Sequence, residues 1–334
     1  MANASLTPGR CGRSRTNGRT KLKIQQETSP TNDLVNSAEG ALLGLAVGDA
    51  VGTTVEFTTP GSFAPVTDMV GGGPFHLNAG QWTDDTSMAL CLATSLLESG
   101  GFDAKDQMER YVRWWQEGYL SSTGECFDIG NTVLGALAGF ESTGDPLSGK
   151  TDEWSAGNGS IMRLAPIPLF YYPDKVKAIW FSGESSRTTH GLDVCVDACR
   201  VLGAMVCGAL ERPSKEGILE AAASVRGVHP QILPIVEGAW KGKRPEEIKG
   251  SGYVVDTLEA AVWSFATTDD FEGAILRAAN LGDDADTTAA VTGQLAGAFY
   301  GRSGIPAPWL ERLHEAKKIA ELADRLIDFV QEPD

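Results

Sequence analysis

Two short acidic segments combine carboxylates with threonine immediately before an apolar helical pattern. They are Thr83-Asp-Asp-Thr86 and, about 200 residues later, Asp283-Asp-Ala-Asp-Thr287. Asp and Thr at a helix start satisfy free backbone N–H groups and suit the positive end of the helix dipole, so helix capping is one explanation. The second segment fits it less well, because three carboxylates within four residues repel one another unless solvent or a cation compensates.

The alternative explanation is a metal site built from both segments. The candidate ligand atoms are all oxygens, with no Cys or His beside them, which favours Mg²⁺ or Mn²⁺ over zinc or copper. Six oxygen-bearing side chains in two groups are about what two ions need at the usual separation of ~3.5–4 Å. The spacing alone leaves capping and metal binding both open.

The composition indicates a globular protein with a sizeable core. The chain has 334 residues, 42% of them hydrophobic, enough for one large domain or two ordinary ones. The composition does not change within residues 34–334, so we expect one domain there. No apolar run reaches about 18 residues, so we expect no transmembrane helix and no membrane partner. The N-terminus lacks the apolar segment of a secretory signal.

Charge is distributed unevenly along the chain. The formal net charge of −16 argues against nucleic acid as a partner. Residues 1–33 carry six basic and two acidic residues, a balance of +4, whereas the remainder carries 22 basic and 42 acidic residues, a balance of −20. Residues 1–33 also lack apolar periodicity, so we expect a flexible basic extension.

The six cysteines form no Cys-x-x-Cys pair. Four of them lie within apolar helical patterns, namely Cys91, Cys195, Cys199 and Cys207. We therefore expect small buried hydrophobic residues in a reducing, cytoplasmic location, not disulfides or a zinc site.

Helical periodicity dominates the rest of the chain and predicts an all-α fold. Asn36-Ser37 can cap a first helix, and apolar residues then recur at 3/4 spacing in residues 86–98, 106–117, 130–141, 191–210, 254–266, 270–280, 287–300 and 308–330. No alternating strand pattern is convincing, although Val66 and Val254-Val255 are candidates for short extended pieces.

Glycine recurs at four-residue spacing in two of these helices. One series is Gly40, Gly44, Gly48 and Gly52, and the other is Gly293, Gly297 and Gly301. Each glycine inside a helix costs about 0.5–1 kcal/mol relative to alanine. The repetition places a smooth stripe on one helix face, which predicts central helices packed in near contact.

Five motifs, in order from about residue 38 to 300, resemble the ADP-ribosylglycohydrolase family, which includes dinitrogenase reductase-activating glycohydrolases and ADP-ribosyl-arginine hydrolases. They are Gly44-x-Ala-Val-Gly-Asp-Ala-Val-Gly52 with Glu56-Phe57, Gly80-Gln-Trp-Thr-Asp-Asp-Thr-Ser-Met88, Asp128-Ile-Gly-Asn131, Asn158-Gly-Ser-Ile-Met-Arg163 with Thr189-His190, and Gly282-Asp-Asp-Ala-Asp-Thr287. The resemblance implies a single compact multi-helix domain with a central binuclear metal cleft. The implied ligands of two Mg²⁺ or Mn²⁺ ions are Thr83, Asp84, Asp85, Asp284, Asp286 and Thr287. Asp283 stands where many members have glycine, and we assign it a supporting position.

The resemblance also implies the reaction, which is removal of ADP-ribose from a modified side chain. Glycoside cleavage needs an activated water and a protonated leaving group, and Glu56 and Asp128 are the implied acid/base residues. Without the family context, Glu56 is a surface residue after a helix and Asp128 is a helix cap. We do not assign which of the two carboxyls is the acid.

Asn158, Gly159, Ser160 and His190 are the implied substrate-binding residues. Backbone N–H groups at a helix start after Asn158-Gly159-Ser160 can bind diphosphate, whereas the bland interpretation is an ordinary Asn-Gly turn. A lone histidine is more often structural than a ligand-binding residue, and only the resemblance places His190 near ADP-ribose. Phe57 and Trp82 either wall the cleft or pack in the core.

Three hypotheses about function follow. The first is a hydrolase of ADP-ribosylated protein, with arginine favoured and serine-linked, DNA-linked or free ADP-ribose left open. The second is an immunity or binding protein whose arm, residues 1–33, blocks an ADP-ribosyltransferase toxin by imitating the arginine that the toxin modifies. The alternative for residues 1–33 is a tail without a role. The third is an inactive member that only binds ADP-ribose, which the complete set of implied ligands argues against.

Overall fold

The computed structural model describes residues 1–2, 32–211 and 214–329. Residues 3–31, which make up most of the predicted basic extension, lie outside the described residues. Every regular element in the described part is a helix, as the periodicity predicts, apart from isolated β-bridges. The helices are α1 (Asn32–Gly52), α2 (Asp84–Ser99), α3 (Ala104–Glu117), α4 (Asn131–Thr143), α5 (Pro166–Tyr171), α6 (Lys175–Arg187), α7 (Asp193–Leu210), α8 (Lys215–Ala223), α9 (Leu233–Val236), α10 (Val254–Ala266), α11 (Phe271–Ala279), α12 (Ala285–Tyr300), α13 (Ala307–Arg312) and α14 (Ala316–Ile327).

The two glycine-rich helices α1 and α12 pack antiparallel with their backbones in contact. A Cβ atom built at Gly44 would lie 2.3 Å from the carbonyl oxygen of Gly293, and one at Gly297 would lie 1.9 Å from that of Gly40. Near the end of α1, a Cβ at Gly48 would lie 2.1 Å from the Ala289 carbonyl. Because only glycine permits this approach, the predicted close packing is confirmed. It places the C-terminal end of α1 beside the N-terminal end of α12.

Helix α1 is a core helix, although the helical stretch Asp33–Val55 is long and apolar enough to cross a membrane. Most of this 23-residue stretch is buried inside the protein. Its neighbours in the core are α12, α14 and α11. Burial against other helices therefore accounts for its apolar character.

Several predicted boundaries are wrong for tertiary reasons. Asn36 and Ser37 lie inside α1, which begins at Asn32, and Val254 and Val255 begin α10 and do not form an extended piece. The single helix expected over residues 308–330 is divided into α13 and α14. At the break, the His314 N–H donates to the carbonyl of Gly80 at 2.9 Å, which an unbroken helix would not allow.

The periodicity also missed four shorter or less periodic helices, α5, α6, α8 and α9. Helix α6 shows why, because it leaves the apolar residues Val176 and Trp180 exposed and buries three serines. The prediction for the four cysteines in helical patterns is confirmed, since Cys91, Cys195, Cys199 and Cys207 are buried and free.

Candidate active site

Several chain segments converge on a cavity of about 370 Å³. They include the end of α1 with the loop that follows it, the start of α2, the loop before α4 and the start of α12. The loop before α5 and the residue His190 before α7 complete much of the lining. Among the predicted site residues, those that line the cavity are Glu56, Asp84, Asp128, Asn158, Gly159, His190, Asp284 and Thr287. Three further predicted ligands, Thr83, Asp85 and Asp286, are buried.

The two acidic segments form one cluster. The Thr83 hydroxyl oxygen lies 3.2 Å from Asp286 Oδ2, and the Thr287 hydroxyl donates to Asp85 Oδ2 at 3.3 Å. Helix capping does not explain them, because Thr83 and Asp284, the cap residues of α2 and α12, make no side-chain cap hydrogen bond. The Thr83 side chain is turned toward Asp286 instead, and the Asp284 side chain accepts a hydrogen bond from Asn158.

Asp49 holds this arrangement in place, and the sequence reasoning did not single it out. It is fully buried and accepts four hydrogen bonds from two residues, the backbone N–H groups and the hydroxyls of Thr83 and Thr86, at 2.6–3.0 Å. Burial raises its pKa to about 6 despite these donors. The available signal was one aspartate in an otherwise apolar stretch, Gly44-Leu-Ala-Val-Gly-Asp-Ala-Val-Gly52.

The electrostatics of the cluster suit a cation. Burial, reinforced by the neighbouring carboxylates, raises the pKa values of Asp84, Asp85 and Asp286 well above the usual range. The Oδ1 atoms of Asp85 and Asp286 are buried without a hydrogen-bond partner among the described residues. Buried carboxylates of this kind require a proton or a positive charge. The oxygen-only donor set is the type that hard divalent cations prefer.

Glu56 and Asp128 lie at the mouth of the same cluster. One carboxylate oxygen from each, together with one from Asp286, lie within 4.8 Å of one another. Burial and the Asp128 charge raise the pKa of Glu56 to about 9. Burial and the Asp284 charge raise the pKa of Asp128 to about 7.

The simpler interpretations of these two carboxyls do not hold. Glu56 is 4% exposed, so it is not a surface residue. Asp128 does not cap α4, because Gly130 occupies the cap position of that helix. Asp128 also has a positive φ of 58°, a backbone conformation that is uncommon outside glycine and concentrates at functional sites.

The predicted substrate-binding residues are placed differently from one another. Asn158 donates to Asp284 Oδ2 at 2.8 Å and to the Thr257 hydroxyl at 3.0 Å, so it links the cavity wall to the acidic cluster. Ser160 faces the interior, where its hydroxyl is hydrogen-bonded to that of Ser186 at 2.8 Å. The expected helix start after Ser160 is wrong, because residues 159–163 form turns and α5 begins at Pro166.

The two aromatic candidates, Trp82 and Phe57, lie in different environments. Trp82 is buried and packs near His314, with ring centroids 5.1 Å apart, so it belongs to the core. Phe57 lines the cavity and is 66% exposed. Its ring lies 6.3 Å from that of Phe75, which in turn lies 5.1 Å from Phe127, so aromatic rings follow the rim from Glu56 to Asp128.

Asp283 contributes its backbone more than its side chain. Its carbonyl accepts from the Phe57 N–H at 2.7 Å and its N–H donates to Thr58 at 2.8 Å, which fixes the loop that carries Glu56. The residue is exposed and has a φ of 58°, a conformation that glycine adopts without strain.

Comparison with known proteins identifies similar chains. Residues 30–334 match the ADP-ribosylglycohydrolase family. An ADP-ribosylarginine hydrolase Tri1 from Pseudomonas putida is 48% identical over 92% of this chain and 82% of its own. An ADP-ribosyl-[dinitrogen reductase] glycohydrolase from Rhodospirillum rubrum is 34% identical over 83% of this chain and 90% of its own.

A solved structure supports the same assignment. It is described as an ADP-ribosylglycohydrolase-related protein complex, and one of its chains superposes with a TM-score of 0.79 at 44% identity, covering 88% of this chain and 98% of that chain. Sequence, fold and site geometry therefore agree, and the chain belongs to the ADP-ribosylglycohydrolase family.

Proposed function

We propose that this protein hydrolyses the bond between ADP-ribose and the arginine side chains of modified proteins. The observation that carries the proposal is the meeting of Glu56, Asp128 and Asp286 within 4.8 Å at a cavity above a buried cluster of carboxylates. The arginine linkage is supported by the relatives in Pseudomonas putida and Serratia proteamaculans, both described as ADP-ribosylarginine hydrolases, at 48% and 45% identity.

The proposal includes two Mg²⁺ or Mn²⁺ ions. Their protein ligands would be the six predicted residues, Thr83, Asp84, Asp85, Asp284, Asp286 and Thr287. The partnerless buried oxygens of Asp85 and Asp286 support this choice. When bound, such ions hold hydroxyl groups and a water molecule and lower the pKa of that water.

In this proposal, the residues at the mouth of the cavity transfer protons and orient the reacting groups. Hydrolysis at the anomeric carbon needs one group that protonates the leaving guanidine nitrogen and one that accepts a proton from the attacking water. Glu56 and Asp128 are the carboxyls that face the cavity without belonging to the predicted ligand set. Asn158 orients Asp284, while Gly159 and His190 line the space for the ADP-ribose.

The decisive experiment offers arginine-ADP-ribosylated protein to the full chain with Mg²⁺ or Mn²⁺ and measures released ADP-ribose. The Asp284→Ala/Asp286→Ala double variant should release none, and Asp283→Asn is the matched control for removing a nearby carboxylate. Serine-linked and DNA-linked ADP-ribose, tested in parallel, define the linkage. A wild-type protein that released no ADP-ribose from arginine would contradict the proposal.

A second function is favoured by the charge asymmetry between residues 1–33, at +4, and the rest of the chain, at −20. In this proposal the basic arm binds the active site of an ADP-ribosyltransferase toxin, with its arginines imitating the toxin's target. Those arginines are Arg10, Arg13, Arg15 and Arg19.

Deletion of residues 1–31 tests the arm and leaves α1 intact, since that helix begins at Asn32. The deletion should weaken binding to the toxin's catalytic domain while hydrolysis is retained. The Asp284→Ala/Asp286→Ala variant of the full-length chain should still bind the toxin. Unchanged affinity and unchanged protection of cells after deletion would leave the arm without this role.

A further inference from the structure

His190 presents one ring nitrogen to the protein and the other to the cavity. The side chain is 1% exposed, and its Nδ1 lies 2.9 Å from the Thr189 hydroxyl. The Nε2 edge of the ring faces Gly157 and Gly159, where added Cβ atoms would lie 3.2 and 3.3 Å from Nε2. The described residues give Nε2 no hydrogen-bond partner, although the ring lines the cavity.

Arg163 determines the direction of the hydrogen bond at Nδ1. Its Nη2 lies 2.7 Å from the Thr189 hydroxyl oxygen, and a guanidinium group can only donate. The Thr189 oxygen is therefore an acceptor toward Arg163. Its own proton then needs another acceptor, and His190 Nδ1 is the one that the described residues provide.

The neighbouring threonine shows the same arrangement with an unambiguous acceptor. The Thr188 hydroxyl also accepts from Arg163 Nη2, at 3.3 Å, and donates to the carbonyl of Ser185 at 2.8 Å. A carbonyl cannot donate, so the proton of the Thr188 hydroxyl points away from the arginine. The Thr189 relay ends on a histidine nitrogen, whereas the Thr188 hydroxyl ends on a carbonyl and also accepts from Gln107 at 3.2 Å.

Arg163 is itself held rigidly. It is fully buried, its guanidinium carbon lies 4.6 Å from the centre of the Tyr111 ring, and Nη1 donates to the Gly159 carbonyl at 3.0 Å. No carboxylate among the described residues forms an ion pair with it. Burial and the Arg163 charge lower the pKa of His190 to about 3. The ring is therefore neutral and must adopt one of two tautomers.

We propose that Arg163 and Thr189 are positioning residues that fix His190 as the tautomer protonated at Nε2. The ring then offers a hydrogen-bond donor to the cavity and selects an acceptor oxygen of the ligand. This inference rests on the proposed function for the identity of that ligand, ADP-ribose, whose phosphate and ribose oxygens are suitable acceptors. The tautomer itself depends only on the buried relay.

Imidazole ¹⁵N resonances test the tautomer directly. The chain has four histidines, so ¹⁵N-histidine-labelled full-length protein gives a small set of signals, and the His190→Gln spectrum identifies those of His190. Wild-type protein should carry the proton on Nε2. A wild-type spectrum with the proton on Nδ1, or with comparable amounts of both tautomers, would overturn the proposal without recourse to any relay variant.

Affinity for ADP-ribose tests the consequence. Thr189→Val removes the relay hydroxyl at nearly constant shape, Thr188→Val removes the neighbouring hydroxyl from the same guanidinium, and Thr189→Ser restores the relay. Calorimetric titration with ADP-ribose should show a roughly tenfold or greater loss for Thr189→Val. Thr188→Val and Thr189→Ser should remain near wild type. Equal losses in the two valine variants would refute a specific role for Thr189.

Neither measurement requires turnover. A protein that binds ADP-ribose through the Nε2–H tautomer but releases none from arginine would contradict the proposed function and leave this inference standing. A hydrolytically active protein whose His190 carries its proton on Nδ1 would overturn this inference and leave the proposed function standing.

Discussion

The floor and the mouth of the cavity are built in different ways. The floor residues Asp49, Asp85 and Asp286 lie at the end of α1 and at the starts of α2 and α12. The backbone contact between α1 and α12 holds Asp49 and Asp286 close together, and the hydrogen bonds of Asp49 hold the start of α2. The mouth residues Glu56 and Asp128 lie on loops. We therefore expect the floor to frame the proposed cations and the mouth to carry the proposed proton transfer.

The loop backbones reinforce this contrast. Phe57, Asp128 and Asp283 have φ values of 56–58°, a region in which non-glycine residues are uncommon and store strain. The floor residues instead lie in or directly beside regular helices, Asp49 in the last turn of α1 and Thr83, Asp85 and Asp286 at the starts of α2 and α12. Substitutions in the floor should therefore affect folding and metal binding together, whereas substitutions at the mouth should affect catalysis alone.

The largest effect is expected where α1 touches α12. Gly44→Ala places a methyl group 2.3 Å from the Gly293 carbonyl and should destabilise the protein by about 3 kcal/mol or more, because both backbones must move apart. The matched control is Gly139→Ala in α4, where the new methyl would meet only ordinary contacts at 3.7 Å. That change should stabilise by about 0.5–1 kcal/mol. Urea unfolding measures both, and equal effects would refute the close contact.

Catalytic loss without loss of structure is expected at the mouth. Glu56→Gln should lower kcat by about 10²–10⁴-fold, the usual contribution of a positioned acid or base. Mn²⁺ affinity and melting temperature should persist, because the amide keeps the shape of the buried carboxyl and Glu56 is not one of the predicted ligands. Asp286→Asn is the floor counterpart and should lose Mn²⁺ affinity. If Glu56→Gln abolished Mn²⁺ binding, the division between floor and mouth would be wrong.

Some of these structural features could be predicted from the sequence and others could not. The four-residue glycine spacing predicted the contact between α1 and α12, because that signal is local and periodic. The meeting of Thr83 with Asp286 has no local signal and followed from the family resemblance. Asp49 was missed because a single carboxylate in an apolar helix does not reveal its partners. The break at His314 depends on a hydrogen bond to Gly80, which periodicity within residues 308–330 cannot show.

Asp49 allows the frame to be weakened without removing a predicted ligand. Asp49→Asn replaces one acceptor oxygen by an amide donor facing the N–H and hydroxyl donors of Thr83 and Thr86. We expect a loss of about 1–3 kcal/mol in unfolding free energy together with weaker Mn²⁺ binding, measured by thermal unfolding and calorimetry. Unchanged Mn²⁺ affinity would show that the Thr83 loop keeps its position without Asp49.

The pH dependence of stability should separate the metal-free protein from the metal-bound one. Asp128 has its pKa raised from 3.8 to about 7, so the folded protein binds more protons than the unfolded chain between these values. Its contribution to stability is complete below pH about 4 and is lost as the pH rises to about 7. With EDTA, the melting temperature should fall by a few degrees across this range. Added Mg²⁺ should reduce the fall, and an equal decline in both conditions would contradict a cation in the cluster.

The smallest effect is expected at Asp283, which tests whether proximity alone makes a carboxylate functional. Its carboxylate adjoins Asp284 in sequence, yet the residue is exposed and holds the Glu56 loop through backbone hydrogen bonds. Asp283→Gly should relieve the strain of a positive φ while adding freedom to the unfolded chain, so stability should change by less than about 1 kcal/mol. Mn²⁺ affinity and ADP-ribose release should match the wild type. A large loss of Mn²⁺ affinity would show that the exposed Asp283 carboxylate takes part in cation binding. The distinction between the floor and the mouth would then be wrong.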